Sequence, residues 1–139
     1  MTTTAKEPIE EIQLPTLVRR IKALTIDGLL ILAIFTLTSM TLGSLGGVVT
    51  ALKVGILVFC FLIYEPLFLS VKGATLGHIL MGLSVRRYRN KEQNLSFFAA
   101  VLRLVLKALL GWVSLVYVSF NQDKRAIHDV ASGSIVLVK

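Results

Sequence analysis

One segment constrains this chain more than any other: RRIKALTIDGLLILAIFTLTSM, running from Arg19 to Met40. Arg19, Arg20 and Lys22 form a basic collar, and about 20 residues of nearly unbroken apolar sequence follow it, a first span expected from roughly Ala23 to Leu42. At about 1.5 Å per residue, a helix of that length matches a hydrocarbon core of ~30 Å. The collar predicts direction, because lysine and arginine beside a span stay on the cytoplasmic side. One acid, Asp27, lies inside the segment, where an isolated charge is costly and needs a partner or a role.

Two further apolar segments follow. The second span is expected from roughly Val48 to Val71, after a short uncharged connection at Gly43, Gly46 and Gly47. Its one early charge, Lys53, can snorkel to the surface. Glu65 lies near its far end, next to Pro66, which predicts a bend by removing the donor to the Leu62 carbonyl. The third segment, Phe97 to Phe120, contains Arg103 and Lys107. At mid-bilayer each would cost about 2.5–3.5 kcal/mol. Helical spacing puts them on one face with Ser96, Ala100, Gly111 and Ser114. Phe97, Phe98, Val101, Leu102, Val105 and Leu109 take the opposite face.

Composition agrees with a membrane protein. Of 139 residues, 55% are hydrophobic and the mean hydropathy is +0.77, too apolar for an ordinary soluble domain of this size. The 15 Lys and Arg against 8 Asp and Glu leave a formal charge of +7. In a soluble chain that balance would point to nucleic acid. Here the positive-inside rule already accounts for it, so no nucleic-acid partner is expected. The lone Cys60 lies in an apolar run and cannot form an intrachain disulfide. Residues 1–15, MTTTAKEPIEEIQLP, lack the cationic start and apolar core of a secretory signal and read as a mobile cytoplasmic tail. Residues 16–139 read as one membrane domain.

Between the second and third segments, Thr75 to Met81 reads as a short interfacial helix closed by Gly82, and LSVRRYR alternates as a strand would. The loop carries Lys72, Arg86, Arg87, Arg89 and Lys91, which places it and the amino end in the cytoplasm and the glycine connection outside. Arg86, Arg87, Arg89 and Lys91 are candidate contacts for anionic lipid head groups; the plainer reading is an orienting basic loop. The terminal SIVLV reads as a second strand and the natural partner of LSVRRY. A simple third crossing would separate the two strands. A bent or re-entrant third segment would bring them together, and Lys124 and Arg125 favour that return.

Counted inward from the cytoplasmic edge, Asp27, Glu65 and Arg103 each lie ~7–11 Å deep. The economical arrangement is a single polar layer with Arg103 between Asp27 and Glu65 and Lys107 close by. Arg20 lies too far along its helix to pair easily with Asp27, and Asp129 is a candidate partner for it. Two readings of the layer stand. It pins three helices in register, since removing one partner strands a buried charge, or it is a protonatable or cation-coordinating site. His78 and His128 are isolated and show no metal-ligand spacing, and no nucleophile with a matching base is evident. Neither a metal, nor a cofactor, nor catalysis is expected.

Four blocks in order, RRIKALTIDGLL, KGATLGHILMGLSV, LRLVLK and KRAIHDVASGSIVLV, resemble the RDD family of small bacterial membrane proteins over roughly Thr16 to Lys139. The family is named for one arginine and two aspartates. By position the resemblance implies Arg20, Asp27 and Asp129. Where many members have lysine after the TLG motif, this chain has His78. The resemblance further implies a multi-pass protein of the bacterial inner membrane. Cation/proton antiport has been proposed for some members, and others look like accessory parts of larger membrane systems. The expected fold is an all-α membrane protein with two transmembrane helices, a third bent or re-entrant segment, a short interfacial helix and a two-strand pair. The expected function is a non-enzymatic module that assembles with itself or with a larger complex. The alternative is a proton-coupled monovalent-cation transporter using Asp27 and Glu65.

Overall fold

A computed structural model describes residues 13–41 and 46–139. Most of the expected tail, 1–12, and the start of the glycine connection, including Gly43, lie outside the described residues. The order of elements is α1 (Leu17–Thr41), α2 (Gly46–Val71), α3 (Leu76–Leu80), β1 (Leu83–Arg87), α4 (Phe97–Phe120), α5 (Ile127–Ala131) and β2 (Ser134–Val138). α1, α2 and α4 are each long and apolar enough to cross a membrane. α1 begins at Leu17 rather than at Ala23, so Arg19, Arg20 and Lys22 are helical and project from the same surface lattice as Asp27.

The strands pair antiparallel, with Leu83 opposite Val138 and Val85 opposite Val136. The packed core sits at this end of the molecule, not midway along the long helices. It comprises Ala23, Leu69, Leu83, Val85, Leu95, Ala100 and Val136, all essentially inaccessible. The outer parts of the helices are bare: Met40, Phe98, Trp112 and Phe120 are each more than three-quarters exposed. A soluble chain would aggregate through such a surface, whereas lipid covers it at no cost.

Two stretches share one plan. Each is a five-residue helix, two linking residues ending in a positive-φ glycine, and a five-residue strand. The first stretch is Leu76 to Arg87, closed by Gly82 (φ 65°), and the second is Ile127 to Val138, closed by Gly133 (φ 64°). The middle residues of the two strands, Val85 and Val136, face each other, so the two units meet as an approximate two-fold pair. α3 packs on α1 and α5 packs on α4.

α4 starts at Ser96, whose side chain caps Ala99 N–H. Its expected faces are present: Ala100, Arg103 and Ser114 are buried, while Phe97, Phe98, Leu102, Val105 and Leu109 are exposed. Helical geometry breaks at Gly111 (φ 47°, ψ −125°), a conformation that suits glycine almost alone. Arg103 before the break and Ser114 after it both reach α5, at the adjacent residues Asp129 and His128. In a straight helix those positions would stand about 16 Å apart. The break and the long arginine side chain together close that gap.

Candidate functional site

α5 is the piece that assembles the charged groups. Its Asp129 lies in the first turn, where the carboxylate reaches back to the N–H of Ala126 at 3.2 Å. With no exposed surface, Asp129 accepts from Arg20 Nη1 at 2.6 Å and from Arg103 Nε at 2.9 Å. Arg103 passes its other face to Glu65, with Nη1 2.7 Å from Oε1. Lys107 Nζ takes the second Glu65 oxygen at 2.6 Å. The result is one chain of alternating charge, Arg20–Asp129–Arg103–Glu65–Lys107, tying α1, α5, α4 and α2 together. Burial alone would raise the pKa of Asp129, but Arg103 and Arg20 outweigh it and hold the carboxyl well below the usual carboxylate range.

Asp27 is not part of this chain. The sequence puts Arg103 between Asp27 and Glu65; the structure puts it between Asp129 and Glu65. The reason is local. Asp27 faces α3, where neutral donors surround it: Tyr64 Oη at 3.0 Å, Gly77 N–H at 2.8 Å and Thr75 Oγ1 at 2.5 Å. Gly77 makes this possible, because a Cβ there would sit 2.1 Å from the Ala23 carbonyl oxygen and 2.8 Å from the Asp27 carboxyl carbon. Thr75 caps α3 and exchanges a 2.5 Å bond with His78 Nδ1, whose distance to Asp27 Oδ2 is 3.9 Å. Burial first, then the charge of Arg103, holds His78 down to about 3. It is a neutral ring.

Ser114, His128 and Asp129 also converge, and their types match a nucleophile, a base and an orienting acid. Their geometry does not. Ser114 is fully buried and accepts from His128 N–H at 3.1 Å. His128 Nδ1 lies 2.5 Å from Ser114 Oγ, but Nε2 is 3.6 Å from an Asp129 oxygen already held by Arg103. Burial, then the charge of Arg103, keeps His128 neutral, down to about 3. This is a buried hydrogen-bond set that anchors α5 beneath α4. Among the described residues, no three His, Cys, Asp or Glu side chains gather as a metal would require.

The basic loop divides. Arg86 bonds the Asn94 side chain, and Arg87 Nη1 donates to Gln93 Oε1 at 3.3 Å, while Arg89 and Lys91 stand exposed. Arg125, which reads from sequence as an orienting charge, is buried. Its Nε donates to the Ser134 carbonyl at 2.9 Å, and its guanidinium lies 3.9 Å from the Tyr88 ring centroid.

Arg20, Asp27, Tyr64, Glu65, His78, Arg103, Lys107 and His128 share one feature: all line a cavity of about 640 Å³ between α1, α2 and α4. The pattern that describes the RDD family matches residues 14–133. The chain belongs to the RDD family. No curated protein and no solved structure matches it. Family membership and three apolar helices together make this a multi-pass membrane protein. Of the three positions assigned to the RDD arginine and aspartates, Arg20 and Asp129 form a direct buried ion pair, and Asp27 occupies its own pocket of neutral donors. Tyr64 and Gly77 escape a reading of the sequence, as do the bonds made by Thr75 and Ser114, which the sequence places only as a helix start and on the polar face of α4. The repeated spacing of helix, glycine and strand marks α3 and α5 as equivalent caps and is the signal that would have found Thr75 and Gly77.

Proposed function

We propose that this RDD-family protein is a non-enzymatic membrane module of the bacterial inner membrane that assembles with a second copy or a larger membrane complex. Its amino end and basic loop lie in the cytoplasm, and α4 enters the bilayer and returns at Gly111. The observation that carries the reading is the occupancy of the buried acids. Both oxygens of Asp27, Glu65 and Asp129 already accept bonds from this chain's own donors. A layer that holds helices in register needs acids bonded across elements: Asp27 of α1 bonds α2 and α3, Glu65 of α2 bonds α4 twice, and Asp129 of α5 bonds α1 and α4. The broad apolar helix faces are the surface such a module offers to neighbours in the membrane. No catalytic role is assigned to Ser114 or Thr75, since neither hydroxyl is exposed.

The test is proton movement, reported by a pH-sensitive dye, in proteoliposomes challenged with Na⁺ or K⁺. No cation-dependent signal is expected from correctly inserted protein. A signal that disappears in Asp27→Asn would overturn the module reading and make the protein a transporter. Insertion is checked in a Cys60→Ala background with single cysteines at Arg89 and Lys139, both exposed. Both are expected to label from the same side; labelling from opposite sides would refute the return of α4.

A further inference from the structure

The short helix α3 carries an inference that does not depend on the assembly reading. Residues 74–81 run between two glycines in the left-handed region, Gly73 (φ 70°) and Gly82 (φ 65°). Both glycines are fastened to the sheet through their carbonyls, which accept from Val85 N–H at 2.6 Å and from Lys139 N–H at 2.8 Å respectively. The segment between them is held on one side only. Its inner face gives Thr75 Oγ1–H and Gly77 N–H to Asp27, and Leu76 N–H to Tyr64 Oη. On its outer face Leu76, Ile79 and Leu80 are exposed. A short segment bonded on one face, with glycines at both ends to absorb a change in φ and ψ, can open without the rest of the fold.

The inner face also holds one titratable side chain, the buried His78. A hydrogen count fixes where its proton sits. Thr75 Oγ1 stands 2.5 Å from both Asp27 Oδ2 and His78 Nδ1 and has one proton to give. That proton goes to the carboxylate, so His78 donates its own Nδ1–H to Thr75, and a second proton could add only at Nε2. Every neighbouring helix brings a titratable or charged group towards the ring: Asp27 from α1, Tyr64 and Glu65 from α2, Arg103 and Lys107 from α4, His128 and Asp129 from α5. Arg86 and Arg87 of β1 bond Asn94 and Gln93 instead. Burial first, then Arg103, with Lys107 adding to it, outweigh Glu65 and Asp129 and hold the ring down to about 3 from its ordinary 6.5.

We propose that residues 74–81 are an acid-opened flap, hinged at Gly73 and Gly82 and latched at neutral pH by Asp27, Tyr64 and the neutral His78 ring. As pH falls below 6.5 the open form takes up a proton and the closed form does not, so acid draws the equilibrium towards opening. Opening removes Thr75 and Gly77, two of the three donors, from Asp27 and uncovers the cavity at His78. α5, the counterpart of α3 in the second unit, is fixed more firmly, because Asp129 ties it by ion pairs to Arg20 and Arg103.

The test is thiol labelling of the full chain in phosphatidylcholine nanodiscs, in a Cys60→Ala background. Ala74 lies in the flap and is 5% exposed, so Ala74→Cys reacts only when the flap opens. A pyridyl disulfide reacts at acid as well as neutral pH, and each rate is divided by that of Lys91→Cys, an exposed position. The Ala74→Cys rate should rise on the order of a hundredfold from about pH 7.5 to about pH 4.5, the ratio set by a proton bound at 6.5 in the open form and at about 3 in the closed one. It should also exceed, by about tenfold or more, the rate of Ala100→Cys, which lies in the core and is reached only by global unfolding. His78→Gln should remove the rise. His128→Gln should preserve it, which keeps the test valid if His78→Gln fails to fold. A rate that is flat with pH would overturn the flap, as would a rise that survives His78→Gln or is lost in His128→Gln. Equal rates at Ala74→Cys and Ala100→Cys would overturn it in favour of global unfolding.

Discussion

Replacing Asp129 by asparagine tests whether the ionic chain holds the fold together. The amide would keep the size and some hydrogen bonds but remove the one charge that neutralises both Arg20 and Arg103. Arg103 would retain Glu65 at 2.7 Å. Arg20 would be left with the Lys124 carbonyl at 2.5 Å and an Nε–H that already lacks a partner among the described residues. Removing one member of a buried ion pair costs about 3–5 kcal/mol. Because Arg103 keeps a second carboxylate, the lower end applies: about 3 kcal/mol, or a shift on the order of a hundredfold in the folding equilibrium. Adding Arg20→Met should recover about 1–3 kcal/mol, because the stranded charge disappears with it. The assay is the thermal unfolding midpoint of detergent-purified protein, monitored by size-exclusion chromatography after heating, for both single variants and the double. A loss below about 1 kcal/mol in Asp129→Asn, or a double variant equal to the sum of the singles, would refute the account of Asp129 as the keystone of the chain.

Two further perturbations address other parts of the site. His78 and His128 ordinarily protonate near 6.5 but are held down to about 3 by burial and by Arg103. As pH falls below 6.5 the unfolded chain takes up protons first, so stability is complete above that value and is lost progressively towards pH 3. The unfolding midpoint measured from about pH 7 to about pH 4.5 should fall, and a His78→Gln/His128→Gln variant should flatten the curve; a flat wild-type profile would contradict the buried neutral rings. Gly77→Ala puts a carbon 2.1 Å from the Ala23 carbonyl oxygen and should cost about 1–3 kcal/mol by pushing α3 off α1, whereas Gly28→Ala meets nothing and should be neutral or mildly stabilising. Comparable midpoints for the two glycine variants would rule out the close α1–α3 contact as a source of stability.

Much of this architecture is written in local pattern. The collar at Arg19 to Lys22, the length of each apolar run and the lysine and arginine bias define three membrane-capable helices, because bilayer thickness and water-to-lipid transfer depend on composition alone. Alternation in LSVRR and the short β-branched apolar run of SIVLV mark two strands, and the glycine just before each marks where a short helix stops. The two faces of α4 follow from a 3.6-residue period, so the burial of Arg103 and the exposure of Phe98 and Leu109 are legible in the chain itself.

Partner choice is not. Depth counting puts Asp27, Glu65 and Arg103 in one layer, and depth is all that a one-dimensional count provides. Which acid meets Arg103 depends on rotation about each helix axis and on elements that return from far along the chain. Asp129 arrives 26 residues after Arg103 by way of a five-residue helix, and it does so because β2 pairs with β1 and draws α5 beneath α4. Asp27 is withdrawn from the layer by a glycine whose missing side chain lets α3 approach, a fact about distance that composition does not encode. Hydrophobic length and charge bias act residue by residue and so can be read from the chain. Ion pairing is a contest between acids for the same arginine, and only the packed molecule decides it.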